Sequence, residues 1–320
     1  VEVSVFRLIV IACVVAGLGG SASAQSFGEA PTKGCRLSDP RTQKLQIGMV
    51  VTAQGGPCQG IFASTLVPTE WPEQQVEEGA REISASVSEM SYRPVGSARQ
   101  MVVSMPFIAA GDNCSAMVTY EVKRSSLLPP ADTSIFVLPN IKKLKIDTRI
   151  FLAPSPSIES TNPRIKTLAR ETFKTKERAW DKVEALYDDV RSKVQFVTGP
   201  LKSTTQTLKD GRGDSEELSS LFVAFCRACD VPARLVFLAC PGHAYAEFYL
   251  EDSEGKGYWF PCRPAGTREF GGLDDHRPII QKGDAFTSPD RPRERLRFLS
   301  EYLTGAGGDP SVKFVRELVN

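Results

Sequence analysis

Along the first half of the chain, apolar and polar side chains alternate in short runs. Further on they recur every three to four positions, so the pattern predicts strands first and helices second. Lys44 to Ala53, Gly60 to Val67, Ile83 to Val87, Arg99 to Met105 and Ala116 to Lys123 read as strands, bounded by Gly, Pro and Asn turns. The last is the clearest: Val118, Tyr120 and Val122 point one way while Thr119, Glu121 and Lys123 point the other. Such a series, with no long helical pattern inside it, predicts a β-sandwich over 25–127. Its first stretch, Gln25 to Arg41, is rich in Gly, Pro and Ser and predicts a loose wrap. Five prolines between Leu128 and Pro156 predict a linker, 128–156, with a short extended piece at Ser134 to Leu138.

The helical half begins where Asn162 can cap and Pro163 can open a helix whose Ile165, Leu168 and Ala169 face inward. A longer helix is predicted from Glu177 to Val194, with Trp180, Val183, Tyr187, Val190 and Val194 as its buried stripe, and Phe196 begins the approach to a site. Gly211 and Gly213 permit a tight turn, Asp214 is a good N-cap, and Glu217 can close a capping box. A helix therefore starts at Ser215, and Leu218, Leu221, Phe222, Phe225, Cys226 and Cys229 form the stripe of a segment sunk into a core. Asp230 and Pro232 stop it. A strand from Arg234 to Leu238, a Pro241-Gly242 turn and a strand from His243 to Leu250 follow. A helix start and a strand that opens with histidine are the layout of a nucleophile and its base. Beyond Arg263 the text is Gly- and Pro-rich, then predicts a basic helix over 291–303 and a tail at 305–320.

The segments GDSEELSSLFVAFCRACDVPARLV, HAYAEFYL and YWFPCRP, with FLAPSPSIESTNPRIKTLARE upstream, resemble the transglutaminase-like superfamily in order and spacing. The resemblance covers roughly 151–266. It implies a papain-like α+β domain over 157–304 with a cysteine, histidine and aspartate site. Two of the three positions differ here. The family's nucleophilic cysteine falls on Ser215 and its aspartate on Arg263, while His243 keeps its place. Serine is harder to ionise than cysteine and needs a well-oriented base. With cationic Arg263 in the aspartate's place, an imidazolium nearby is disfavoured. Glu247, on the same strand face as His243 by alternation, is the candidate replacement for orienting the imidazole. Ser215, His243, Glu247 and Arg263 are thus the candidate site residues.

Composition narrows the reading. With 39 basic and 38 acidic residues, the chain lacks the electrostatic footprint of a nucleic-acid partner. Arg7, the apolar run Leu8 to Leu18 and Ala22-Ser23-Ala24 predict a signal peptide at 1–24, hence a secreted or periplasmic protein not inserted in a membrane after cleavage. Export in turn favours a disulfide, Cys35 with Cys58 or Cys58 with Cys114. The Cys226/Cys229 pair lies on the buried helix stripe and reads as core packing. Cys240 and Cys262 are weaker candidate nucleophiles than Ser215. Neither histidine pairs nor an EF-hand pattern suggests a metal, and no cofactor is expected. The expectation is an exported transglutaminase-like protein that binds peptide or protein chains at a degenerate acyl-transfer or peptidase-type site. The alternatives are an active serine acyl transferase or amide hydrolase, and a purely structural envelope protein.

Overall fold

From Asn113 to Leu128 inward and outward side chains alternate almost without interruption, and Cys114, Ala116, Val118, Tyr120 and Val122 all turn into the core. This strand anchors the first part of the fold. A computed structural model describes residues 33–239 and 243–319 of the chain. Six strands come first: β1 (Arg36–Ala53), β2 (Cys58–Val67), β3 (Gln74–Ile83), β4 (Glu89–Val95), β5 (Ala98–Ile108) and β6 (Asn113–Leu128). The middle of the chain supplies β7 (Phe136–Val137), α1 (Ile146–Arg149), α2 (Pro163–Phe173), α3 (Ala179–Lys193), β8 (Gln195–Phe196), α4 (Thr204–Asp210), β9 (Arg212–Gly213) and α5 (Ser215–Ala228). The remaining elements are β10 (Ala233–Leu238), β11 (Ala244–Asp252), β12 (Gly257–Arg263), β13 (Glu269–Phe270), β14 (Ile279–Lys282), β15 (Phe286–Ser288), β16 (Arg291–Leu296), β17 (Tyr302–Gly307) and β18 (Pro310–Val319).

The N-terminal strands form the expected sandwich, but the chain's end completes it. One sheet runs β18-β1-β6-β3 and the other β17-β2-β5-β4. Lys44 to Ala53 of β1 pair with Val319 to Pro310 of β18, and Tyr302 of β17 opposes Ser64 of β2. The basic helix expected over 291–303 and the tail over 305–320 are therefore strands. The reason is pairing across the sequence. Leu296, Leu303, Val312 and Phe314 pack against the core as strand residues, while the charged residues of β16 face solvent. A Cβ at position 305 would lie 2.2 Å from Ile61 Cδ1, so the Ile61 side chain packs directly over that glycine.

Two smaller expectations also change. The strand expected at 83–87 lies earlier, as the edge strand β3, whose charged and largely exposed side chains hide any alternation. Residues 36–41, expected to be loose, already belong to β1. Cys35, Cys58 and Cys114 are free thiols, so neither expected disulfide forms. Cys35 Sγ instead donates to the carbonyl of Gly271 at 3.3 Å, and the Cys58 thiol turns to the Gly56 carbonyl at 3.8 Å. The signal segment, Cys240 and the Pro241-Gly242 turn lie outside the described residues.

The helical part is built on α5, where every residue from Glu217 to Ala228 is buried. Asn162 caps α2 as expected, accepting from the amide of Arg164 at 2.9 Å. Trp180 of α3 stands edge-on to Phe248, Phe260 and Phe270 and joins the helices to the sheet β13-β12-β11-β10-β14. Sandwich and helical part share one hydrophobic core and one compact unit.

Candidate functional site

The start of α5 is fixed by its cap. Asp214 accepts hydrogen bonds from the amides of Glu216 (2.9 Å) and Glu217 (3.0 Å), and its own amide donates to Glu217 Oε2 at 2.9 Å. This is the reciprocal capping box that the sequence predicts. Two glycines make room for it. Gly211 ends α4 in the left-handed region at φ +63°, and a Cβ on Gly213 would lie 2.8–2.9 Å from the Glu217 side chain. Ser215 opens the helix and is half-buried.

The chain path brings His243 to the same end. Four residues link α5 to β10, so the helix runs antiparallel to β10, which itself pairs antiparallel with β11. Helix and β11 therefore run in the same direction. Fourteen helical residues at ~1.5 Å and six strand residues at ~3.3 Å each span roughly 20 Å, so the starts of α5 and β11 coincide. Ser219, one turn after Ser215, confirms the alignment: its hydroxyl donates to the Ser215 carbonyl at 2.7 Å and approaches the Ala244 carbonyl at 3.5 Å. Ala244, Ala246 and Phe248 pack with the helix in one core, while Tyr245 belongs to a second cluster on the other sheet face. His243 is in register with Tyr245, its carbonyl accepting from the Leu238 amide at 3.1 Å. A contact between the Ser215 hydroxyl and the imidazole would therefore have to be made past the end of β11.

Arg263, expected from the resemblance to take the aspartate's position, is beside this histidine. Ala246 opposes Cys262 and Arg263 follows it, so Arg263 and His243 are diagonal cross-strand neighbours. Such neighbours are ~7–8 Å apart, within reach of a long side chain. The guanidinium is held by Glu269 at 2.8 Å and by Asp275, while its carbonyl accepts from the Tyr187 hydroxyl at 2.9 Å. Asp275 also binds Arg277 at 3.1 Å and lies 3.8 Å from Arg124. Burial would raise the Asp275 pKa, but the hydrogen bonds of Arg277 and the charge of Arg124 hold it below the ordinary range. The pKa of His243 is lowered, first by desolvation, then by Arg277 and Arg263, against the opposing pull of Asp275. The imidazole is thus kept neutral, which is the direction the sequence implies.

Glu247 is not the orienting acid. Four residues of strand at ~3.3 Å each separate it from His243 by roughly 13 Å. Its carboxylate is buried between Arg234 at 2.7 Å and Lys282 at 2.6 Å, and Lys282 also meets Glu73 at 2.6 Å. Cys262, weighed as a substitute nucleophile, is buried in the core, and desolvation raises its thiol pKa well above the ordinary value. His276 is structural, its Nε2 2.7 Å from the Asp39 carbonyl and 3.1 Å from the Ser126 hydroxyl.

Asp275 and Arg277 were hidden from sequence reasoning because they lie in the Gly- and Pro-rich stretch after Arg263. The one visible signal was a dense charge cluster, Asp274-Asp275-His276-Arg277. Among the described residues no group of three or more His, Cys, Asp or Glu could hold a metal ion, and no helix is long and apolar enough to cross a membrane.

Residues 166–264 match the family model described as the transglutaminase-like superfamily. A solved structure from Cytophaga hutchinsonii, described as a "putative cysteine protease", aligns at 19% identity and a TM-score of 0.57, covering 88% of this chain and 92% of its own. At that identity the likeness shows a shared fold. The periplasmic domain of TgpA from Pseudomonas aeruginosa aligns at 14% identity and a TM-score of 0.34, covering 68% of this chain and 87% of its own. No curated protein matches.

Proposed function

Because residues 166–264 form a transglutaminase-like domain, we propose that this is an exported protein whose acyl-transfer site is degenerate and serves to bind peptide or protein chains. Ser215 and His243 mark the floor of that cleft. The observation that carries the reading is their arrival at one end of the helix and sheet layer, with Arg263 where an orienting acid would be needed.

Low turnover follows from the charges at each residue. An anion at position 215 would meet a helix end whose first amides already serve Asp214, with Glu216 and Glu217 beside it. A protonated His243 would meet Arg277 and Arg263. Loss of an acting nucleophile costs on the order of a millionfold in serine proteases, so a serine so poorly supported leaves little catalysis. The apolar run Leu8 to Leu18 supports export.

The test is Ser215→Cys. At about pH 9, above the ordinary cysteine pKa of ~8.5, iodoacetamide should alkylate the new thiol, located by peptide mass, and the protein should bind unfolded peptides with or without it. If position 215 stays unreactive and no peptide binds, the inherited-cleft reading is wrong.

One observation favours a second reading, an active serine hydrolase or acyl transferase. A neutral imidazole is the form a general base requires, and His243 is held neutral. A fluorophosphonate should then label Ser215 and fail to label it in His243→Ala. An unlabelled, folded wild-type protein rules this reading out.

A further inference from the structure

A cavity of about 490 Å³ opens between the sandwich turn at Gly96 and Ser97, the segment around Phe151, and Trp259 on the sheet. Neither Ser215 nor His243 lines it. Trp259 opposes Tyr249, six residues along β11 from His243, a distance of roughly 20 Å at ~3.3 Å per residue.

Its walls are aromatic and closely fitted. Phe151 stands perpendicular to Trp259 with ring centres 5.5 Å apart, and the Arg234 guanidinium lies over Trp259 at 4.1 Å and over Phe151 at 5.5 Å. Two left-handed glycines let the third ring in. A Cβ on Gly96 (φ +58°) would lie 3.1 Å from Phe286, and one on Gly283 (φ +111°) would lie 3.3 Å from both Phe151 and Phe286. A side chain at either position would crowd those rings.

The buried charges in the cavity are already paired. Arg227 is paired with Asp284 at 2.8 Å and Arg234 with Glu247 at 2.7 Å, while Arg295 and Asp147 contribute one charge of each sign. Away from those two rim charges, what is left to recognise a ligand is ring surface. Pockets that hold small molecules have ~300–1,000 Å³ and are mostly apolar with a few polar groups. One benzene fills a cavity of ~150 Å³, so this one has space for about three rings.

We propose that this cavity is a second binding site, separate from the Ser215 cleft, for a flat, uncharged aromatic molecule of two or three rings. The ligand would slide between Trp259 and Phe286, and rim hydroxyls such as Ser97 and Thr148 would supply its few polar contacts.

The neutral fluorophore N-phenyl-1-naphthylamine, titrated into the full chain, should bind at one saturable site. Ala285→Trp, which fills the cavity from its exposed rim, should weaken binding at least tenfold, and Trp259→Ala severalfold. Ser215→Ala should leave binding unchanged. Equal binding by a folded Ala285→Trp protein, or no saturable binding by the wild type, would overturn the proposal. Should the filled variant not fold, irradiated benzophenone provides the second measurement on the wild type. Cross-links within 147–153 or 283–286 support the site, and cross-links confined to other segments overturn it. Because none of these readouts uses the Ser215 cleft, their failure leaves the peptide-binding reading intact.

Discussion

Asp284→Ala should be among the most destabilising single substitutions in the helical part. The Arg227 Nη2 group reaches both carboxylate oxygens of Asp284 at 2.8 Å, and both side chains are 1% exposed. Removing one partner of a buried pair leaves an uncompensated charge and costs about 3–5 kcal/mol. Two features place this site near the lower end. Arg227 keeps bonds to the carbonyls of Ala233 and Ala153 and to Ser155, all at 2.9 Å, and the pair lines the aromatic cavity, from which water can reach the orphaned guanidinium. Against that, the Leu235 amide loses its acceptor at 3.1 Å, which adds about 1 kcal/mol. The sum is roughly 3–4 kcal/mol, a large share of the ~5–15 kcal/mol that holds a typical protein folded.

Urea denaturation followed by circular dichroism measures this directly, provided wild type and variant unfold with the same slope. The double replacement Arg227→Met with Asp284→Leu is the control. An apolar pair carries no orphaned charge, so it should be more stable than Asp284→Ala alone. A cost below about 1 kcal/mol for Asp284→Ala, or a double variant no better than the single one, would mean that the pair is effectively solvated and the reasoning fails.

Three other outcomes are expected. Burial alone would raise the pKa of Glu247, but Arg234 and Lys282 outweigh it and bring it down to about 2 from the usual 4.5; a depressed acid stabilises the fold above its unfolded pKa, so stability should fall as pH drops from about 4.5 to about 2, and Glu247→Gln should flatten that part of a urea-midpoint profile. Arg263→Asp replaces a cation diagonal to His243 with an anion, and the imidazole pKa, read from its Cε1 proton by NMR, should rise; an unchanged or lower value would mean the two side chains do not face each other. Gly213→Ala pushes a methyl against Glu217 and should break the capping box, at a cost of about 1–2 kcal/mol in thermal or urea unfolding.

The parts of this fold that were legible in the sequence are those whose determinants lie close together in the chain. The Asp214 cap, the buried stripe of α5 and the alternation of β6 each depend on neighbours within a few residues. Where partners are distant, local pattern gave no guide. β18 reads as a tail until β1, more than 250 residues earlier, is there to pair with it. β3 carries mostly polar and charged residues because it is an edge, so its alternation is masked. The same divide runs through the site. Ser215 and His243 stand in recognisable surroundings, whereas Asp275 enters only through a loop that brings it back to Arg263. Glu247 shared a strand face with His243, but direction alone says nothing of distance along the strand, and its charge was already required by Arg234 and Lys282.

A serine at 215 is consistent with the field around it. A thiolate and imidazolium pair needs positive potential at the helix start and negative potential beyond the imidazole. Here the helix start carries Asp214, Glu216 and Glu217, and the histidine is faced by Arg263 and Arg277. Asp275 opposes the two arginines and Arg297 pairs with Glu216 at 2.9 Å, yet the balance at His243 is against the imidazolium, so separating charge between residues 215 and 243 is disfavoured. An uncharged hydroxyl at 215 and a neutral imidazole at 243 are the states this field favours. Restoring the sulfur by Ser215→Cys therefore supplies a nucleophile without the field that would ionise it. Arg263→Asp repairs the histidine side alone. Ser215→Cys combined with Arg263→Asp should therefore be alkylated faster than Ser215→Cys alone, since the thiol then has a histidine able to take its proton, and an equal rate would refute the coupling.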